Sequence, residues 1–423
     1  MNLRGFTGRR KAAPRIGMFG LFGSSNIGND GSLEALLNYL KAAHPDAVLN
    51  VLCPGPERIR ASYGVGGTPL WWHTKYAGQT SGLAAIPLKA VSKGIDVLRT
   101  AAWVRRHDVV MVPGTGILET TLPLRPWQTP YSLFLVCAFS RIFGTKVALV
   151  SVGASVTSKP ASRWLIVSAA RLACYRSYRD QQSWDAMKQS GVDTARDPVY
   201  PDLAFALPVP ADTQDGQPTV GVGLMDYRGG NDDRSRAEDL HDAYVAKMKV
   251  FVRWLVDGGR RVRVFAGDDV DSSVVQEVVA DLRAARPDLE SECVVAEPVS
   301  SLHELMRQIA AVDIVVATRY HNVLCALKLA KPTLSTGYAA KNVVLMTEMG
   351  LSGFCQNAGS LDVDQLIEQF TELENRSAEL RQAIAERTRA CAQRLDEQFS
   401  LLSELLLGGA KSAEPVPELA QPT

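Results

Sequence analysis

Arg319 and His321 are the residues best placed to do chemistry. They stand two apart in the stretch Ala317-Thr318-Arg319-Tyr320-His321-Asn322. The apolar run Ile314 to Ala317 before them reads as a strand, and Leu324, Ala326, Leu327 and Leu329 mark a helix after them. A guanidinium at a strand end can grip a carboxylate or phosphate through two parallel hydrogen bonds. The N-terminus of the next helix adds free backbone N–H groups and the positive end of its dipole, so an anion is welcome there. An imidazole exchanges protons near neutral pH. The plain alternative is a surface arginine and a helix-capping histidine. The chain has six histidines, and this one falls at a predicted ligand edge, which favours the functional reading.

Other post-strand loops offer weaker signals. In Gly23-Ser-Ser-Asn26-Ile27-Gly28-Asn29-Asp30-Gly31, two glycines have P-loop spacing, but Asn29-Asp30 stand where Lys-Ser/Thr is required. Without that lysine the site lacks a charge for a β/γ-phosphate, which argues against an ATPase. Asn26, Asn29 and Asp30 suit sugar hydroxyls, or they cap the following helix. In Gly114-Thr115-Gly116-Ile-Leu-Glu119, glutamate replaces the last glycine of G-x-G-x-x-G. Dinucleotide binding is therefore not supported, and the segment reads as a turn or a substrate loop. Arg179-Asp180 is either an internal ion pair or a substrate clamp. Asp268-Asp269-Val-Asp271 contains a D-x-D, which lies where a helix should begin and reads as helix capping rather than a metal site, since no histidine pair at i, i+4 spacing or Asp/Glu/His cluster elsewhere implies a metal. No G-x-S-x-G elbow marks a hydrolase.

The elements that must position these residues alternate between β-branched apolar runs and amphipathic stretches, the pattern of β-α-β units. Strands are predicted at Ile16 to Phe22, Val48 to Leu52, Val109 to Val112, Val147 to Val152 and Tyr175 to Tyr178. Ser32 to Ala43 reads as the first helix, and Pro54 to Arg106 resists assignment. Residues 210–218 are Pro, Asp, Thr, Gln and Gly apart from Ala211, with almost nothing to bury, a linker composition. After it the alternation restarts at Thr219, and Leu366 to Leu407 carries a long helical period.

The chain is thus predicted as two doubly wound, Rossmann-like α/β domains with a long C-terminal helix. Residues 1–14 form a basic arm, 15–209 the first domain, 210–218 the linker, 219–408 the second domain and 409–423 a disordered tail. In such folds the ligand lies beyond the carboxyl ends of the strands. The length of 423 residues also asks for two domains.

Composition limits the partners. Lys plus Arg number 46 against 45 Asp plus Glu, a balance that offers nucleic acid no global attraction. Seven scattered cysteines without a C-x-x-C pair fit a reducing cytoplasm better than a zinc or disulfide framework. The longest apolar run, Tyr131 to Phe139, is too short to span a bilayer. The basic arm could touch anionic lipid, though a solvated terminus is the ordinary reading.

Taken together, the motifs resemble the polysaccharide pyruvyl transferase family from about Ile16 to Leu351. Asn26-Ile-Gly28-Asn29-Asp30 is similar to its N-x-G-D/N element, and Gly114-Thr-Gly116 to its glycine loop. Arg179-Asp180-Gln-Gln-Ser183 resembles its R-D-x-x-S element, Tyr200-Pro201-Asp202 the aspartate before the linker, and Arg319-Tyr320-His321 its R-x-H motif. The resemblance implies a B-type glycosyltransferase-like fold. It implies transfer of pyruvyl from phosphoenolpyruvate onto two hydroxyls of a sugar, forming a cyclic ketal on a cell-surface polysaccharide or its lipid-linked precursor.

Arg319 and His321 would then serve donor binding and proton transfer, with Asn26, Gly28, Asn29, Asp30, Gly114, Gly116, Arg179, Asp180 and Asn322 binding substrate. The first domain is expected to take the acceptor and the second the donor, in the cytoplasm or at the inner face of the membrane, with no metal or cofactor. A nucleotide-sugar glycosyltransferase and a non-catalytic glycan-binding member are the alternatives.

Overall fold

The computed structural model describes residues 13–24, 26–72, 85–119, 126–211 and 218–409. Most of the predicted arm, linker and tail lie outside these residues. The first sheet contains Arg15–Phe19 (β1), Val48–Cys53 (β2), Gly66–Pro69 (β3), Val109–Pro113 (β4), Lys146–Val152 (β5) and Tyr175–Tyr178 (β6). Its order is β3-β2-β1-β4-β5-β6, and every pairing is parallel. All five residues of β4 and all but the first of β5 are buried, as strands covered on both faces must be.

The second sheet repeats the plan with Thr219–Leu224 (β7), Arg261–Ala266 (β8), Val294–Ala296 (β9), Ile314–Ala317 (β10) and Thr333–Ser335 (β11). Its order is β11-β10-β7-β8-β9, again parallel. Strand order reverses between β1 and β4 in one sheet and between β7 and β10 in the other. Loops diverge at these points and leave a crevice at the carboxyl ends.

Three expectations need correction. The first helix begins at Ile27, not Ser32, because the Asn26 side chain caps it by accepting from the N–H groups of Gly28 and Asn29. Glycines within its first two turns hid that start. The unassigned stretch contains helix Pro56–Tyr63, edge strand β3 and helix Ala85–Val104; the Gly and Pro of β3 carry almost no strand propensity. The late helical period is two helices, Val363–Asn375 and Ser377–Leu402, broken at Arg376.

The longer of these two helices ties the halves together. Its Thr388 hydroxyl donates to Leu327 O at 2.9 Å in the second domain. Further on, Gln398 donates to Ser177 Oγ at 2.8 Å and accepts from Ser151 Oγ at 3.0 Å in the first. One hydrophobic core runs from the inner face of the first sheet into the second domain, and a separate one fills the outer face of the first sheet.

Candidate active site

The crevice between the sheets is lined by Asn26, Asn29, Thr115, Gly116, Glu119 and Arg179 from the first domain. From the second come Asp268, Arg319, His321, Tyr338, Lys341 and Asn342. Arg319 leaves the end of β10 as the N-cap of helix Tyr320–Lys328, and no side chain caps that helix. Helix Ala340–Glu348 also starts at the crevice without a side-chain cap. Two helix N-termini therefore add positive potential to one place.

Asp271 fixes the guanidinium. It is fully buried, and it accepts from Arg319 Nε at 2.8 Å and Nη2 at 2.6 Å. The backbone N–H groups of Asp226 and Gly267 hold the same carboxylate, at 2.9 and 3.4 Å. This bidentate grip leaves Nη1 as the uncommitted end of Arg319. The capping expected of the D-x-D segment is not its role: neither Asp268 nor Asp271 makes a side-chain cap hydrogen bond to the helix that follows it, and Asp271 anchors Arg319 instead. Among the described residues no three His, Cys, Asp or Glu side chains stand together as a metal site. Asn322 does not line the crevice. It is fully buried behind Arg319 against Gly223 and Gly267, and neither of its amide atoms has a hydrogen-bond partner.

His321 faces the first helix across the domain boundary, with Gly28 directly against its ring. Burial pushes the imidazole down to about 4; Asp202 opposes this, while Lys341 and Arg179 add to it. The ring is therefore neutral at neutral pH. Asn26 and Asn29 reach the crevice, but Asp30 turns away and accepts the Gly23 N–H at 2.8 Å. Of the glycine-loop residues, Gly114 (φ 54°) packs against Ser32, and Gly116 against the Glu119 carboxylate. Between them Thr115 holds φ 62° with its Oγ1 buried and unpartnered. A β-branched residue adopts that conformation only under constraint.

Arg179 is the hub of a buried ion cluster. It pairs with Glu119, with Asp202 at 3.4 Å and with Asp180 at 3.5 Å. Its guanidinium lies 5.0 Å from the Tyr320 ring centroid. Asp180 in turn caps helix Gln181–Gln189 through the Ser183 N–H at 2.6 Å. Of the two readings of Arg179-Asp180, the internal pair describes this geometry. Lys341 joins from the second domain, 3.4 Å from Glu119 and 5.3 Å from the Tyr320 centroid. Burial resists ionisation of Glu119, yet Arg179 and Lys341 together hold its carboxyl below the usual range.

The sequence profile of the polysaccharide pyruvyl transferase family matches residues 26–339. The chain belongs to this family. It is a family of enzymes that transfer pyruvyl groups to polysaccharide, and its span here runs from the cap of the first helix to the crevice residue Ala339.

No curated protein is significantly similar in sequence. Solved structures are similar in fold at low identity. A putative UDP-N-acetylglucosamine 2-epimerase from Listeria monocytogenes has a TM-score of 0.61 at 11% identity, over 96% of this chain and 100% of its own. Anabaena HepE in complex with UDP and glucose gives 0.57 at 13%, over 93% and 100%. The Neisseria meningitidis UDP-GlcNAc 2-epimerase bound to UDP-GlcNAc gives 0.56 at 10%, over 91% and 100%. These likenesses show the two-domain, B-type glycosyltransferase-like fold.

In this pyruvyl transferase family member the structure brings Asn26, Asn29, Gly116, Arg179, Arg319 and His321 to one crevice, with Gly28 behind His321. It places Asp30, Gly114, Asp180 and Asn322 in supporting positions. The sequence reading missed Lys341, Asp271 as the anchor of Arg319, and Asp268. The Asp268 carboxyl lines the crevice with Oδ1 buried and unpartnered, and burial raises its pKa. Its position just past β8 was the available signal.

Proposed function

We propose that this crevice transfers pyruvyl from phosphoenolpyruvate to two hydroxyls of one sugar, releasing phosphate and forming a cyclic ketal. The observation that carries the reading is the convergence of Arg319, Lys341 and two uncapped helix N-termini on a small crevice in a chain of formal net charge +1. Such a site concentrates a small polyanion without attracting nucleic acid. Nη1 of Arg319 and the ammonium of Lys341 hold the donor's carboxylate and phosphate. Side chains supply the positive charge in this account, and no cofactor is assigned.

A proton adds to the methylene carbon of the enol phosphate, leaving a cation at the carbon that bears carboxylate and phosphate. A sugar hydroxyl attacks that carbon and loses its proton, giving a tetrahedral phosphate adduct. Inorganic phosphate leaves, and a second hydroxyl closes the ring with loss of its own proton; of the two hydroxyl protons, one restores the acid and the other departs with hydrogen phosphate. Neutral His321 is the base for the hydroxyls, and Asp268, whose carboxyl burial keeps more easily protonated, is the acid for the methylene carbon. Environments that push two titratable groups in opposite directions divide acid from base in this way. The acceptor is a saccharide of a cell-surface polysaccharide, or its lipid-linked precursor met at the inner membrane face.

Tyr338 favours one other reading. It is 43% exposed at the crevice edge, 5.6 Å from the Tyr227 ring, and such a surface also stacks a nucleobase. A nucleotide-sugar glycosyltransferase would use it so. Thermal-shift titration separates the two: phosphoenolpyruvate should stabilise the protein and UDP-glucose should not, and the reverse result removes the pyruvyl reading.

A further inference from the structure

Helices Ala85–Val104, Thr129–Phe143 and Pro160–Leu172 lie side by side on the first sheet. Their buried residues fill the core that does not reach the second domain, so this layer is the outer wall of the molecule. The outward stripe of such a layer is ordinarily polar. Here it carries Leu98 at 72% exposure, Ile142 at 69%, Trp127 at 63% and Trp164 at 60%. These are the four most exposed large apolar side chains among the described residues, and all four fall on these helices or the turn leading into one.

Charge on this face is equally one-sided. Across 85–104, 126–143 and 155–172 the sequence holds seven Lys or Arg and a single acidic residue, Asp96. Asp96 is 5% exposed, and its carboxylate accepts the Trp72 backbone N–H. No carboxylate of these segments therefore faces outward, although the whole chain balances 46 basic against 45 acidic residues. Arg141, Lys159 and Arg163 are exposed among the apolar side chains.

Exposed tryptophans on helices that carry basic but no outward acidic side chains match the boundary between lipid headgroups and acyl chains. Basic side chains there gain from anionic headgroups. A second protein would have to set acidic groups around the same wide apolar stripe, whereas an anionic bilayer presents an apolar interface and negative headgroups together. No described helix is long and apolar enough to cross a membrane, so the contact is peripheral.

We infer that this three-helix face docks the enzyme on an anionic bilayer surface, with Trp127 and Trp164 at the headgroup boundary and Arg141, Lys159 and Arg163 on the headgroups. Trp127 precedes the second of these helices and Trp164 lies in the first turns of the third. Helices that follow parallel strands start at the carboxyl edge of the sheet, so both tryptophans are on the crevice side of the layer. Docking there would hold the crevice beside the membrane. Delivery of a lipid-linked acceptor rests on the function proposed above; the docking itself does not.

The test uses the full chain and vesicles of phosphatidylglycerol or phosphatidylcholine in a sedimentation assay. The wild type should sediment with phosphatidylglycerol vesicles, weakly or not at all with phosphatidylcholine, and less as salt rises. Arg141→Glu/Lys159→Glu/Arg163→Glu should lower binding by at least about tenfold, as expected for three headgroup charges reversed. Trp127→Gln/Trp164→Gln should also lose binding while keeping the wild-type melting temperature and response to phosphoenolpyruvate. Absence of wild-type binding, or variants that bind as the wild type does, would overturn the inference. So would a wild-type dimer that the tryptophan variant converts to monomer, because the face would then join two copies. A failed donor titration with intact vesicle binding would count against the function and not against the docking.

Discussion

Gly28 lies directly against the imidazole of His321. A methyl group on Gly28 would come within 1.9 Å of Cε1, 2.1 Å of Nδ1 and 2.4 Å of Nε2. The first helix of one domain thus approaches the catalytic candidate of the other so closely that only a hydrogen fits between them.

Gly28→Ala must displace either the ring or the helix. Overpacking of this kind costs about 1–3 kcal/mol of stability. Misplacement of a reacting group by about 1 Å can lower kcat by on the order of 10². Gly31→Ala is the control, because its methyl would meet the Leu302 side chain at 2.2 Å and not His321. Both variants should melt earlier, but only Gly28→Ala should lose turnover in the folded protein.

His321 makes stability depend on pH. Its folded value of about 4 lies below the ordinary 6.5, so the unfolded chain binds the extra proton between these values. Its contribution is present above about pH 6.5 and is lost as pH falls towards 4, by at most about 3 kcal/mol. Asp30 moves the opposite way, raised to about 6, so the difference between wild type and His321→Gln isolates the histidine. That difference, measured by urea unfolding, should shrink with falling pH. The same variant should lower kcat by roughly 10²–10⁴.

Asp271→Asn should loosen Arg319 without removing its charge. Breaking a buried pair by removing one partner costs about 3–5 kcal/mol, less here because one end of Arg319 reaches the crevice. Arg319→Lys keeps the charge but not the fork geometry, and should weaken phosphoenolpyruvate binding by about 1.5–3 kcal/mol. Calorimetry should show both losses with affinity for the acceptor glycan nearly unchanged.

Asp268→Asn keeps the volume and removes the acid. If Asp268 protonates the methylene carbon, kcat should fall by about 10²–10⁴ while donor affinity holds, since asparagine matches the neutral, protonated carboxyl in size and charge. A variant with full turnover would return Asp268 to a role in the β8 loop alone.

Much of this was legible in the residues. The apolar strand before Arg319 and the helix after His321 placed both at a carboxyl edge, because strand and helix periods change at that point. Repetition of the pattern announced two parallel sheets. What stayed hidden depends on contacts between distant segments. Gly28 and Gly31 look like loop glycines until His321 and Leu302 are seen against them. Asp271 looks like a cap, since nothing in its neighbourhood of the chain names Arg319, 48 residues away. Lys341 follows Tyr338-Ala-Ala, with no motif to mark it, and meets Glu119 only across the domain boundary.

The mass of the glycan product decides whether pyruvyl transfer takes place. The protein should be incubated with phosphoenolpyruvate and a lipid-linked glycan extract, beside His321→Ala and a parallel reaction with UDP-glucose. Pyruvyl transfer gives a glycan heavier by one pyruvic acid less one water, with one phosphate released for each, and the variant loses that product. A glycan unchanged by phosphoenolpyruvate but heavier by a hexose with UDP-glucose would contradict it.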